Sequence, residues 1–413
     1  MARSGLWAQR DFLKLWGGQS ISELGSSITT VALPLTAVLL LHAGPLAMGV
    51  LGAALTAPFL LVGLLAGALV DQAPRRTLMI GADAVRFLLL GAIPVLRLVN
   101  RLTLPGLDAD AFLIGCMTVV FDVAYQSYLP RLVPRDLLVP ANSALEVSRS
   151  VSQVAGPGLG GFLVQALSAP LALGGDALSY AISVASLLSM RHRDAARPRS
   201  AGSLRADIAE GLRVVVGSSL LRAIAGCTAT ANLFGNVMMA VAVLFMVHGL
   251  SFSPLDLGAV YAVGSIGAVV GATAAGRLAG RRGTGPTIVL GSVASAAYAV
   301  VLAATSGPRL VALGLVAAAS CLGGFGSTVY NINQVSLRQA ITPDRLMGRM
   351  NASMRFIVWG VMPLGSLLGG YLGAHWGIRP TLILGALGSL AAPLWVWRSP
   401  VRALVRIPEH AAS

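Results

Sequence analysis

Charge is what this chain has least of. Asp, Glu, Lys and Arg together make up 11% of its 413 residues, against about 25% in a soluble domain, which leaves no material for a water-facing surface. Lysine is almost missing: Lys14 is the single one, and arginine supplies the rest of the 30 basic residues. Cysteine is scarce too. Cys116, Cys227 and Cys321 stand in separate apolar segments without CxxC or Cys/His spacing, so they read as small buried residues and not as a disulfide or metal set. There is no Walker phosphate loop, no His/Asp/Glu metal spacing and no Ser/His/Asp constellation, so ATP drive, a metal and any other cofactor are unexpected. The net charge of +14 forms no contiguous basic segment interleaved with aromatics, which argues against nucleic acid as a partner. A cleavable signal peptide is not expected either, because the first apolar run is far longer than the roughly 7–15 residues of such a segment.

What is present is hydrophobicity. Apolar residues make up 55% of the chain and the mean hydropathy is +0.77, the composition of an integral membrane protein in contact with the bilayer. A spanning helix needs about 20 apolar residues, and twelve segments qualify: 12–41, 46–70, 78–99, 104–129, 142–167, 170–190, 219–247, 255–279, 284–305, 308–332, 349–374 and 377–397. With the N-terminus inside, 23 basic residues fall in cytoplasmic segments and 4 outside, so both termini are expected in the cytoplasm. The one long polar stretch is the linker 191–218, in which Ser203 can cap an amphipathic helix over Leu204–Val216 on the inner membrane face. It separates a six-helix bundle over 1–190 from a second over 219–413.

The halves are related. At an offset of 209 positions Pro134, Asn142, Gly156, Gly160 and Gly161 align with Pro343, Asn351, Gly365, Gly369 and Gly370. Further upstream Gly49, Ala53, Gly67 and Leu69 align with Gly258, Ala262, Gly276 and Leu278. Repeats of six spans keep the same orientation, as in many secondary transporters.

Between the second and third spans stand Gly67, Leu69, Asp71, Arg75 and Arg76. This loop resembles the Gly-x-Leu-x-Asp-x-x-x-Arg-Arg loop of the major facilitator superfamily. There the resemblance implies a conformational latch, with Asp122 a natural partner for Arg75 or Arg76; in the second half Asp71 maps onto Gly280. Gly156-Pro157-Gly158-Leu159-Gly160-Gly161 resembles the Gly-Pro-x-x-Gly-Gly motif of the exporter branch, although a packing seam accounts for the same small residues. With Phe12, Leu15-Trp16, Gly18-Gln19, Leu24-Gly25 and Asp176-Ala-Leu-Ser-Tyr180, the whole chain is similar to the macrolide-efflux and enterobactin-exporter group. It departs from drug:proton antiporters in lacking a buried arginine in the fourth span.

Charges inside spans are costly and mark functional candidates. Glu23 lies about 16 Å along the first helix from Phe12 at 1.5 Å per residue and is a candidate proton-coupling or substrate-contacting acid. Glu146 and Arg149 are three apart and expected to pair, and Arg355 occupies the repeat position of Glu146. Asp83 and Arg86 share the same spacing and are expected to brace the latch, whereas Asp176 is expected near the outer surface in solvent. Among neutral groups, Asn232 and Asn236 lie one turn apart, Tyr330, Asn331 and Asn333 end the tenth apolar run, and Phe234, Tyr261, Tyr298 and Trp359 are candidate cavity aromatics. The resemblance implies a monomeric, proton-coupled transporter exporting a small hydrophobic compound (drug, antibiotic or siderophore-like metabolite) across the plasma membrane by alternating access. Proton-coupled nutrient uptake is the alternative, with a lipid flippase or an intramembrane enzyme behind it.

Overall fold

The computed structural model describes residues 5–62, 73–191 and 204–405, and every regular element among them is helical. In the first repeat these are α1 (Arg10–Leu35), α2 (Pro45–Leu61), α3 (Arg75–Leu98), α4 (Leu104–Leu132), α5 (Leu138–Ala166) and α6 (Ala169–Ser189). The linker helix is α7 (Leu204–Gly217). The second repeat comprises α8 (Ser219–Leu244), α9 (Pro254–Arg282), α10 (Thr284–Ser295), α11 (Ala297–Ala304), α12 (Arg309–Ala340), α13 (Asp344–His375), α14 (Ile378–Ala391) and α15 (Pro393–Trp397). Breaks at Ala296 and Ala392 divide single spans, 284–304 and 378–397.

Nine spans among the described residues are long and apolar enough to cross a membrane. Helices α4 and α5, at 29 residues each, are also long enough, and α2 is an apolar helix described for 17 residues. The set is consistent with twelve spans. Large apolar side chains turn outward, Leu98 at 80% exposure and Leu310 at 79%, which is the side lipid covers. The tenth span corrects one expectation. Its helix runs on to Ala340, so Tyr330, Asn331 and Asn333 lie within it. Hydropathy marks only the apolar part of a helix, and the backbone continues into polar sequence.

The 209-residue repeat is written into the backbone as well as the sequence. Helices α1 and α8 start and stop at equivalent positions, and each ends in a π turn, Thr36–Leu40 and Phe245–Gly249. The same carbonyl accepts the same amide in both copies: Leu41 N to Thr36 O at 3.2 Å and Leu250 N to Phe245 O at 3.0 Å. The next turn places His42 at φ 50° and its mate Ser251 at φ 56°. At the start of α6 Ser168 has φ 147° and ψ 161°, and at the start of α14 Gly377 has φ 97° and ψ 162°. The second copy fills this left-handed position with the residue that tolerates it.

Contacts divide the chain into two compact units. The first comprises Met1–Ala43, Ala54–Ser200 and Ser253–Ala262; the second comprises Gly44–Ala53, Ala201–Phe252 and Val263–Ser413. Within the first, α1 packs along α5 and α6, and α3 along α4 and α6, over a core that includes Phe12, Leu15, Met79 and Tyr128. The start of α9 also belongs here, because a methyl group on Gly258 would lie 2.6 Å from the Pro157 carbonyl oxygen and 3.0 Å from Gly161 Cα. Within the second unit α8 packs on α13 and α14, and α10 on α12. The start of α2 meets α13 there, and a methyl on Gly49 would lie 2.6 Å from Gly370 Cα. Gly49 and Gly258 are repeat mates, as are Gly161 and Gly370, so the two crossings are the same contact made twice. Helix α7 packs on α13: Gly211 abuts the Arg349 carbonyl, and Glu210 pairs with the Arg349 guanidinium.

Candidate transport and coupling site

Three groups of polar side chains stand out, two in the first unit and one in the second. The first surrounds Glu23. The half-buried Glu23 carboxylate accepts from Gln19 Nε2 at 3.1 Å, one turn earlier on α1. On α5, Glu146 and Arg149 form the expected pair, bidentate at 2.8 and 3.0 Å. Their side chains are 60% and 51% exposed, so the pair contributes little stability and both charges face open space. Arg149 also lies within electrostatic reach of Glu23 and Asp122, and the Tyr125 hydroxyl within reach of Glu23, Asp122 and Glu146. Helices α1, α4 and α5 thus each contribute a carboxylate whose field reaches Arg149, and Glu146 is the one bonded to it. Trp16 Nε1, donating to Ser148 Oγ at 3.0 Å, pins α1 to α5 just below them.

The second group is on α8 and α13. Asn232 Nδ2 donates to the Val358 carbonyl at 2.8 Å, Asn236 Nδ2 to the Asn232 carbonyl at 2.8 Å, and Ser366 Oγ to Asn236 Oδ1 at 3.4 Å. Beside them the exposed Arg355 lies with its guanidinium carbon 5.4 Å from the Trp359 ring centroid, a cation–π contact. The sequence candidates Asn232, Asn236, Arg355 and Trp359 therefore form one neighbourhood. Phe234 does not join it, since its ring sits where a methyl on Gly388 would have to go and is packed between helices.

The third group corrects an expectation. Asp176 is fully buried, accepting from Thr29 Oγ1 at 2.5 Å and Ser179 Oγ at 2.9 Å. Gly25 makes the room, because a methyl there would fall 2.2 Å from Asp176 Oδ1. Distance from a helix end gives depth but not rotation, and it is rotation that turns Asp176 toward α1. Asp83 and Arg86, expected to brace the latch, pair with each other, and both are buried in contact with Ser183 and Tyr180 of α6. The sequence signal was the set Asp176, Ser179, Tyr180 and Ser183, polar at helical spacing on an otherwise apolar helix.

Of the latch residues, Gly67 and Asp71 lie outside the described residues. Arg75 is buried. Arg76 donates from Nε to the Leu187 carbonyl and from Nη2 to the Leu188 carbonyl, both at 2.9 Å, placing a cation at the C-terminus of α6 where the helix dipole favours it. In the exporter-like motif, Gly156 and Gly160 lie against Ser27 and the Ile28 backbone of α1, while Pro157 and Gly161 abut Gly258. Its small residues are contact points on two faces of α5. A groove of about 560 Å³ lined by Arg222, Trp395 and Arg398 shares no residue with these groups. No cluster of metal-ligating side chains occurs among the described residues.

The described residues build helices only, with ionisable groups inside apolar spans and mated glycines at two helix crossings, and the comparisons define the class: a membrane transporter and not an enzyme. The chain belongs to the major facilitator superfamily: residues 5–411 match the family described as transmembrane secretion effector. It is 30% identical over 380 residues to the multidrug efflux pump Tap of Mycolicibacterium fortuitum, covering 89% of this chain and 90% of the relative. It is 27% identical over 285 residues to the enterobactin exporter EntS of Salmonella typhi, covering 64% and 58%. Among solved structures it resembles a point mutant of nucleoside transporter NupG, with TM-score 0.77, 12% identity, and coverage of 94% and 99%. A bacterial homologue of the iron transporter ferroportin in its inward-facing state gives 0.76, 14%, and 94% and 98%. At these identities the structural likeness concerns the fold alone.

Proposed function

We propose that this transporter is a proton-coupled exporter of small hydrophobic compounds, such as drugs, antibiotics or siderophore-like metabolites. It acts as a monomer in the plasma membrane with both termini in the cytoplasm. The observation that carries the reading is the similarity to the Tap efflux pump over nearly the full length of both chains. The skew of arginine toward one set of loops supports the orientation.

In mechanism, the bundles 1–190 and 219–413 rock about a central substrate, joined by the linker 191–218. The glycine crossings part and close in turn, since helices that meet without side chains between them separate with little repacking. Gly67, Asp71, Arg75 and Arg76 act as the latch that holds one state, and the motif at Gly156, Pro157, Gly160 and Gly161 gives α5 the close contacts export requires. Asn232, Asn236, Trp359 and Arg355 supply hydrogen bonds and an aromatic wall on the second unit. Glu23, Glu146 and Arg149 supply charge on the first. Arg149 is bonded to Glu146 and lies in the field of Glu23, so a proton or a substrate cation at Glu23 changes its balance.

The test is uptake of ethidium into inverted membrane vesicles with an imposed acid-inside gradient. Wild-type vesicles are expected to accumulate the dye and Glu23→Gln vesicles to fail. Equal uptake by the variant removes Glu23 from the coupling role, and dye accumulation by intact cells reverses the direction.

A further inference from the structure

Behind α1, buried charges on α3 and α6 form a group separate from Glu23, Glu146 and Arg149. Asp176, Ser179, Tyr180 and Ser183 share one face of α6, spanning about 10 Å at 1.5 Å per residue. Each meets a partner. Thr29 and Ser179 donate to Asp176; Ser183 Oγ donates to Asp83 Oδ2 at 2.6 Å; and Arg86 bonds Asp83 and reaches the Tyr180 hydroxyl at 3.4 Å. The Tyr180 hydroxyl lies 2.8 Å from Ser26 Oγ. Ser26 spends its one proton on the Ser22 carbonyl at 2.9 Å, so Tyr180 is the donor between them. The Arg86 guanidinium is held between the rings of Phe121 at 4.7 Å and Tyr180 at 4.4 Å.

The charges do not balance. Two fully buried carboxyls share one buried guanidinium, and that guanidinium is bonded to Asp83. Among the described residues the hydrogen bonds to Asp176 come from the Thr29 and Ser179 hydroxyls; the charged groups nearby are Arg86 and Asp83 on α3, Tyr180 is the titratable group beside it on α6, and α1 presents Gly25, Ser26 and Thr29, none of them charged. A lone charge inside the membrane is costly, and one proton removes it.

The second repeat provides an internal control. At 209 positions on, Asp83, Arg86, Asp176 and Tyr180 become Ser292, Ser295, Gly385 and Ser389, while Gly25 becomes Phe234. There Ser292 and Ser295 bond only to carbonyls of their own helix, and the Gly385 backbone lies against Phe234 and Met238. At these mated positions the second copy makes its helix contact without charge, so the contact does not require the charges that the first copy carries there.

From this we infer that Asp176 is a proton-binding site, and that its protonation changes how firmly α1 is held to α6. The inference rests on the proton-coupled reading above. Hydroxyls suit the task because Thr29 and Ser179 can donate to the carboxylate or accept from the acid. When Asp176 carries the proton, Thr29 is free to donate to a carbonyl one turn back on its own helix, as Ser26 and Ser27 already do. The tie between helices becomes a bond within α1, six residues from Glu23.

The test is an infrared pH titration of the purified full-length protein. Wild type is expected to show a titrating carboxyl component that is lost in Asp176→Asn and kept in Glu23→Gln. Asparagine retains the size and an acceptor oxygen; should that variant still fail to fold, Thr29→Val keeps the acid and is expected to move the midpoint by roughly one pH unit. A spectrum unchanged by Asp176→Asn, or a midpoint indifferent to Thr29→Val, overturns the site. Vesicles of the folded Asp176→Asn protein are expected to lose gradient-driven ethidium uptake while retaining dye exchange without a gradient. If wild-type vesicles ignore the gradient, the transport reading fails on its own and the infrared titration still decides whether Asp176 binds a proton.

Discussion

Placing a methyl group at one glycine crossing tests whether those contacts open and close during transport. In Gly258→Ala the new carbon would stand 2.6 Å from the Pro157 carbonyl oxygen and 3.0 Å from Gly161 Cα. Both obstacles are backbone, so α5 and α9 have to separate, and overpacking of this kind costs about 1–3 kcal/mol. Alanine also stabilises a helix relative to glycine by about 1 kcal/mol, which obscures the effect in a single measurement. Gly175→Ala corrects for this, because Gly175 is also helical and has nothing within 4 Å of its added methyl. Relative to that control, the crossed state of Gly258→Ala is expected to lose about 1–3 kcal/mol, roughly a 5- to 150-fold shift away from crossing. Gly49→Ala, at the mated position 2.6 Å from Gly370 Cα, is expected to behave the same way. The assay pairs thermal unfolding in detergent with initial rates of dye uptake in vesicles. If Gly258→Ala matches Gly175→Ala in both, the crossings are not tight contacts that open and close during transport.

Two further expectations follow from the repeat and the linker. Ser168 occupies a backbone region that glycine alone adopts without strain, and its mate is Gly377, so Ser168→Gly is expected to stabilise the protein by about 1 kcal/mol in thermal unfolding; a loss of stability would contradict it. Glu210→Ala removes the carboxylate that holds Arg349. Because both groups are partly exposed the expected loss is about 1 kcal/mol or less, read as up to about fivefold faster tryptic cleavage at Arg213, and an unchanged rate would show that the pair does not dock α7.

The spans were legible because length and hydropathy are one-dimensional properties. Helix α1, expected over 12–41, occupies Arg10–Leu35 and its π turn. The repeat was legible for the same reason, down to Gly49 with Gly258 and Gly161 with Gly370. That these glycines meet crosswise was not, since an offset says which positions are alike and not which ones touch. The pairs Asp83–Arg86 and Glu146–Arg149 followed from i,i+3 spacing, which is fixed within a helix. Burial of Asp176 depended on the rotation of α6 against α1, and that rotation is set by Gly25 on a different helix. The same limit hid the electrostatic link between Asp122 and Arg149, because residues on α4 and α5 have no common periodicity to betray them.

Outward movement of small hydrophobic compounds at the expense of a proton gradient is the property on which the proposed function stands. Ethidium flux in inverted vesicles measures it directly, with the acid-inside gradient imposed, then collapsed by a protonophore. Dye accumulation is expected to stop on collapse; accumulation indifferent to the gradient, or movement in the opposite direction, would contradict proton-driven export.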